Sequence, residues 1–549
     1  MSTRVAFVIT KLAVLLAILV VTLAFTRDVL QAQSITGIVK NVSGEPVAGA
    51  LIKVSSAESG LTFMVVSRTQ GRYTTPSLPP GKYTVQGFGG EMQSNPGEPM
   101  QVSSGQQAKA DLVLRIPRKI IPHEKRTTNA EYLKLMPEGD GKRLILTRCV
   151  LCHGIERIVP IRAAREDWQK NVNRMRFFLE QNHVPVPGQE QDTIVEYVAK
   201  NFGPDTPPVA EKGSGTNPDG HLPRTLLTGQ QARFVAMEFR LPRGIWIHDI
   251  AVDSQGNAWF TERVSEMIGR FDAKSLTYTR IAPPPAKSPS GLTALSIDPQ
   301  DNVWFTDNSV NGLLYRYNPT TREFTKYDIP PTDPILTRNI NMLRFHPEGS
   351  VWGTGITSHR ILRLDPSTGK WTEYAVQMGS LPYGLVLAKD NSVWVSTHYG
   401  NAVERLNPQS GKLTQYKMTT RNANLRRMQA DAEGNLWVTG NETGTVIKVD
   451  PRTGKISSFT PPTQDSGPFC IDVDTKRNLI WFGEMYADKL GRYDPRSNTF
   501  TEFPLPSADP SVEFSDVKVI WIEVDRNRPN RVWWAGGKHA RVGYIEVIE

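Results

Sequence analysis

Seven of the twelve tryptophans in this 549-residue chain recur at nearly equal spacing: Trp259, Trp304, Trp352, Trp394, Trp437, Trp481 and Trp533. The intervals are 45, 48, 42, 43, 44 and 52 residues. A period in the mid-forties is too short for a domain and long enough for several strands, so it predicts a β-propeller. Each unit has the same internal order. An apolar strand leads into an Asp/Gly/Asn turn, as in Asp253-Ser254-Gln255-Gly256-Asn257, and the Trp strand follows. A third strand then closes on an acid, 13 residues after its Trp in Asp272, Asp365, Asp450 and Asp494. An outer strand such as Phe500-Thr501-Glu502-Phe503-Pro504 ends the unit. Counting 13 residues on from Trp533 reaches Glu546, which leaves no room for an outer strand before residue 549. Val235–Leu241, ahead of the first unit, matches the missing strand and is expected to complete a seventh blade. Closure is required, because an open ring leaves unpaired strand edges. The expectation is a seven-bladed propeller over residues 233–549.

The rest of the chain divides by composition. Arg4 and Lys11 precede the apolar run Leu12–Phe25, and a short polar stretch ends near Ala32. This reads as a signal peptide over residues 1–32, with a periplasmic or secreted product. An uncleaved N-terminal membrane anchor is the alternative, and no membrane span is expected after cleavage. Removing residues 1–32 takes away Arg4, Lys11, Arg27 and Asp28, so the net charge falls from +9 to +7. That charge comes without a basic stripe interleaved with aromatics, so nucleic acid is not an expected partner. Three cysteines, Cys149, Cys152 and Cys470, exclude a disulfide framework. Cys470 reads as a buried apolar filler.

Residues 33–114 alternate with the strand period, as in Ile35-Thr36-Gly37-Ile38-Val39 and Ala50-Leu51-Ile52-Lys53-Val54. A β-sandwich of about seven short strands is expected. The phrases Gly44–Ala50, Gly71-Arg72-Tyr73 and Leu78–Tyr83 resemble the carboxypeptidase-regulatory-like family, which has a carbohydrate-binding-like sandwich. That resemblance implies a spacer or adhesive module, with glycan contact as its one binding role. A basic linker spans 115–129 and reads as solvated. Residues 130–203 change to helical spacing, with Trp168, Val172, Met175 and Leu179 on one face. This is expected to be a small all-α domain. Residues 204–232 read as a second linker, rich in Pro, Gly and Thr.

Cys149-Val150-Leu151-Cys152-His153 is the strongest local signal for chemistry. In an exported chain, C-x-x-C-H is a c-type haem attachment site. Two thiols three positions apart reach the two vinyl groups of one haem, and the adjacent imidazole is held under the iron. The segment resembles single-haem cytochrome c domains, through this motif, Glu166-Asp167-Trp168…Arg174-Met175 and Ile194-Val195-Glu196-Tyr197-Val198. The resemblance implies a Met or His as sixth iron ligand. Met175 is the first choice, with Met136 and His183 as rivals.

On the propeller, the residue that leads each innermost strand lies eleven positions before its Trp: His248, Thr293, Asn341, Tyr383 and Arg426, with Phe469 in the sixth unit. His248, oriented by Asp249, is the weak catalytic candidate. His248, Asn341, Tyr383 and Arg426 are the candidate ligand-channel residues, and Arg426 with Arg427 would suit an anion. Glu262, Asp307 and Glu484 follow their Trp strands and read as solvated loop acids. Trp259-Phe260-Thr261-Glu262…Ile268-Gly269-Arg270 and Leu381-Pro382-Tyr383-Gly384-Leu385 resemble the virginiamycin B lyase (streptogramin lyase) family. The resemblance implies elimination across a cyclic-peptide ester by channel histidines and a glutamate with magnesium. Here only His248 stands at such a position, Trp246 replaces the glutamate, and the positions at Tyr383 and Phe469 lack His. Lyase activity and magnesium are therefore not expected, although the fold is.

The expected protein is thus multidomain and mainly β, an exported c-type haem protein with one covalent haem c. Its cytochrome domain would transfer electrons, coupled to binding of a redox partner protein or small-molecule substrate by the propeller. The alternatives are a virginiamycin B lyase-like C–O lyase with accessory haem, or a carbohydrate-binding surface protein. Whether the propeller catalyses a reaction is left open.

Overall fold

The computed structural model describes residues 33–118, 127, 129–149, 155, 158–181, 186–207, 222–242, 245, 247–263, 265–287, 291–308, 311–331, 338–356, 358–377, 380–398, 400–420, 423–507, 517–537 and 540–548. The signal segment, Cys152, His153, His183 and Trp246 lie outside them. Among the described residues no helix is long and apolar enough to cross a membrane.

Six antiparallel four-stranded sheets follow one another from Ile247 to Pro504. They are blades one to six, and their innermost strands are Ile247–Val252, Leu292–Ile297, Leu343–Phe345, Pro382–Leu387, Leu425–Ala430 and Pro468–Asp474. Blade seven is split. Val519–Val524, Arg531–Gly536 and Arg541–Val547 supply three strands, and Phe234–Arg240 pairs along the last of them as the fourth. The innermost strand of blade one packs against that of blade seven, which closes the ring.

The Trp repeat has a physical basis in the turns. In blade one, Asp253 Oδ1 accepts the Asn257 N–H and side-chain amide, and Oδ2 accepts Trp259 Nε1–H at 2.8 Å. Asp298 with Trp304 and Asp431 with Trp437 repeat this, and Ser350 and Ser392 substitute for Asp beneath Trp352 and Trp394. Directly across the ladder stands a cation. Arg270, Arg316, Arg363, Arg405, Lys448 and Arg492 lie 5.5–5.8 Å from the ring centroids of the six Trp residues. Each unit thus buries an indole; its N–H is held in five of the seven blades and its face is covered by a charge in six.

Residues Ser34–Pro117 form ten short strand segments in two sheets. The alternation suggested about seven. The additional ones are pairings of two or three residues, such as Met92–Gln93 with Ile116–Pro117, too short to alternate. One sandwich sheet does not end at its own edge. Strand Leu61–Val66 pairs antiparallel with Phe234–Arg240, in register from Val235↔Val65 to Phe239↔Leu61. The sandwich sheet and blade seven are therefore one continuous sheet of ten strands.

Among the described residues four helices lie between them in sequence: α1 (Asn129–Lys134), α2 (Asp140–Arg148), α3 (Arg165–Gln181) and α4 (Gly188–Asn201). They share a core of Tyr132, Met136, Ile145, Trp168, Val198 and Phe202 with neighbours, and Trp168 Nε1–H donates to Phe202 O. The stretches read as linkers are partly packed. Arg118 Nη1 donates to Gly90 O and Pro223 O, and Nη2 to Leu222 O, at 2.7–2.9 Å. Leu222 and Leu227 are buried between sandwich and ring, where Leu227 N–H donates to Gly49 O.

Candidate functional site

In five of blades one to six the leading residue of the innermost strand sits on a β-bulge. The ladder shifts register between Ile247 and Ile250, Leu292 and Leu295, Pro382 and Leu385, Leu425 and Met428, and Pro468 and Cys470. A bulge re-aims side chains and is frequent beside functional sites. Here it brings the candidates together around Arg427.

Arg427 is 3% exposed and reaches from blade five across the channel. Its Nη1 donates to Asn341 O of blade three at 3.0 Å, and its Nη2 lies 3.5 Å from Asp249 Oδ1 of blade one. Its guanidinium carbon is 4.8 Å from the Tyr383 ring centroid of blade four and 3.9 Å from that of Trp521 in blade seven. One side chain thus cross-links five blades and stoppers the channel. Asp249, wholly buried, anchors it: Oδ1 is 2.7 Å from His248 Nδ1, and Oδ2 accepts Leu295 N–H. The Asp fixes the imidazole orientation as the sequence predicted, while 20% of the His248 side chain stays exposed. Arg426 lies 4.7 Å over Phe469 and 5.3 Å over Tyr383. Thr293 is tied down instead by Thr306 Oγ1 and Asn308 Nδ2. His398 was not foreseen. It stacks on Tyr383 at 5.4 Å, and burial, helped by Arg426, drives its pKa well below the ordinary imidazole value. It is a neutral imidazole at physiological pH.

Beyond the Arg427 stopper lies a cavity of about 520 Å³ at the other end of the innermost strands. His248, Asn341, Tyr383 and Arg426 do not line it; Arg344, Arg427, Gln429, Asp472, Trp521 and Glu523 do. The leading positions and this cavity stand at opposite ends of the innermost strands. A sequence signal for the missed residues exists, since Arg344, Gln429, Asp472 and Glu523 each pair directly with the repeat Trp of the next strand.

The loop acids also need correction. Glu262, Asp307 and Glu484 are 0% exposed. Glu262 is held by Arg280 Nη2 at 2.6 Å, Ser265 Oγ and Tyr278 Oη. Asp307 accepts Gly291 N–H and Asn311 Nδ2–H, both at 2.8 Å. Burial and the nearby Glu502 push the Glu484 carboxyl well above its ordinary pKa. Glu262 and Asp307 are strand-end ties. Cys470 is buried as expected, and burial pushes its thiol up to about 12.

In the helical unit, Cys149 follows α2 directly, half-buried against the helical core, with its N–H donating to Ile145 O. Met136 is buried in that core, and Met175 is half-buried on α3. Among the described residues no three His, Cys, Asp or Glu side chains gather as a metal-binding group.

Residues 279–547 match the virginiamycin B lyase family model, and residues 34–115 match the carboxypeptidase regulatory-like domain. The C-terminal region is a virginiamycin B lyase-like propeller. Virginiamycin B lyase from Staphylococcus aureus superposes with a TM-score of 0.50 at 23% identity, covering 57% of this chain and 100% of that one. A streptogramin B lyase structure gives a TM-score of 0.51 at 22% identity, covering 58% of this chain and 100% of that one. At such identity the likeness speaks for the fold. No curated protein matches the chain in sequence.

Proposed function

We propose that this chain is an exported c-type haem protein whose helical unit transfers electrons and whose propeller binds a small-molecule substrate or redox partner. The observation that carries the reading is the Cys149–His153 motif, whose first residue, Cys149, directly follows α2 in a helical unit with its own apolar core. The half-buried setting of Cys149 beside that core suits a large, flat, mainly apolar group. Cys149 and Cys152 would hold haem c through thioethers, His153 would be the proximal ligand, and Met175, Met136 or His183 the sixth. When bound, haem supplies one-electron chemistry. The chain's own part is to exclude water with Met136, Trp168 and their neighbours, and a Met as sixth ligand would raise the potential relative to His. The leader supports export to a periplasmic or secreted location. The His248–Asp249–Arg427 cluster supports ligand binding at its end of the channel.

The test is a reduced-minus-oxidised spectrum of the full chain expressed in a host that matures c-type cytochromes. Sharp bands of a covalent haem are expected, and a colourless protein overturns the reading. The family match favours a second reading, a virginiamycin B lyase-like C–O lyase with accessory haem. Turnover of a streptogramin B substrate with added magnesium, lost in His248→Ala, would establish it.

A further inference from the structure

The cavity beyond Arg427 is independent of the haem reading. It opens at the opposite end of the channel from His248, between the turns that carry Ser254 and Asn527. We propose that it is a second ligand site, taking a small hydroxylated carboxylate whose carboxylate is held by Arg344 and whose hydroxyls meet Glu523 and Gln429.

Size and shape come first. About 520 Å³ falls within the range of small-molecule pockets, and its walls alternate polar groups with Met342, Leu387 and Ile471. The Arg427 stopper, paired with Asp249, separates it from the cluster around Tyr383.

The polar groups define the ligand. Arg344 donates through Nη1 only to Leu343 O, the carbonyl of the preceding residue, and its Nε is buried with no partner. No carboxylate lies within ion-pair distance of it among the described residues. Burial therefore lowers its pKa to about 10, with Asp472 and Glu523 only partly offsetting the loss. A desolvated planar fork with vacant donors is complementary to a carboxylate. The Arg427 Nε is likewise buried without a partner at the inner wall.

The two acids differ. Asp472 is well satisfied, accepting from Gln429 Nε2 at 3.0 Å, Val473 N at 2.9 Å and Val524 N at 2.8 Å. Glu523 accepts one long contact, from Val252 N at 3.4 Å. Burial raises its carboxyl to about 7, so both protonation states are populated near neutrality. Such a group both donates and accepts, which matches a hydroxyl better than a fixed ammonium.

The test is calorimetric titration of the full chain with D-glucuronate, with glucose and glycine as controls. Saturable binding of glucuronate is expected, with both controls at least about tenfold weaker. Arg344→Gln should weaken glucuronate by about tenfold to a hundredfold, and Glu523→Gln by a smaller factor. Lys326→Ala, exposed on the outer strand of blade two, should change nothing. Absence of saturable glucuronate binding, equal binding of glucose or glycine, or an Arg344→Gln affinity equal to wild type overturns the proposal. Should Arg344→Gln not fold, Arg344→Lys keeps the charge and removes the fork, and unchanged affinity there is equally fatal.

Discussion

The sandwich and the helical unit both precede the ring in sequence, yet they join it in opposite ways. The sandwich donates strand Leu61–Val66 to a ladder with Phe234–Arg240, and two hydrophobic clusters run from it through blade seven into other blades. The helical unit keeps its cluster between Tyr132 and Phe202. A shared ladder with a shared core couples two regions into one cooperative unit, and a private core does not. The lesson is that chain order misleads: the sandwich, farther away in sequence, is the ring's partner, and the nearer helices are the guest.

The largest effect expected from this contrast is all-or-none. Cys149→Ser with Cys152→Ser should abolish covalent haem staining completely and leave the thermal unfolding of the β regions unchanged. Next is Phe63→Ala. Phe63 is 1% exposed in the cluster that spans sandwich and ring, so truncation should cost about 3–5 kcal/mol. Calorimetry should show sandwich and propeller falling together; a sandwich that melts alone would break the comparison. Trp437→Phe should cost about 1–3 kcal/mol, since it strips Asp431 Oδ2 of its 2.9 Å indole donor. A pH series sharpens the ring side further. The Glu523 carboxyl stands at about 7 when folded against an ordinary 4.5. Its contribution is fully present below 4.5 and is lost as pH rises through 7, so the unfolding temperature of wild type should fall relative to Glu523→Gln across that window. The smallest effect should come from the most drastic edit. Deleting residues 119–221 and joining the ends with a short Gly-Ser linker should leave the β regions melting within a few degrees of wild type; a large drop would show that the helices brace the ring.

The ring was legible because one physical need recurs seven times. Each unit must bury an indole, and Asp253, Asp298 and Asp431 each stand six residues before the Trp they hold. The split seventh blade followed from counting, and the pairing of Phe234–Arg240 with Arg541–Val547 bears it out. The ladder between sandwich and ring was not legible, because strands about 170 residues apart share no local signal when their edges meet. The burial of Glu262 depends on Arg280, in the next-but-one strand, so a scan of neighbouring residues misplaces it in solvent. The candidate channel residues and the residues that line the cavity stand at opposite ends of the innermost strands. Alternation gives the face of a straight strand, and the bulges at His248, Tyr383 and Arg426 break that rule.

The Arg118 guanidinium touches the carbonyls of Leu222 and Pro223, so the outgoing and returning chain meet there. Everything between residues 118 and 222 is consequently a cartridge. Its removal or exchange requires only that the replacement present its two termini side by side, and a lineage can acquire, swap or discard such a cargo in one recombination event without re-engineering the host scaffold.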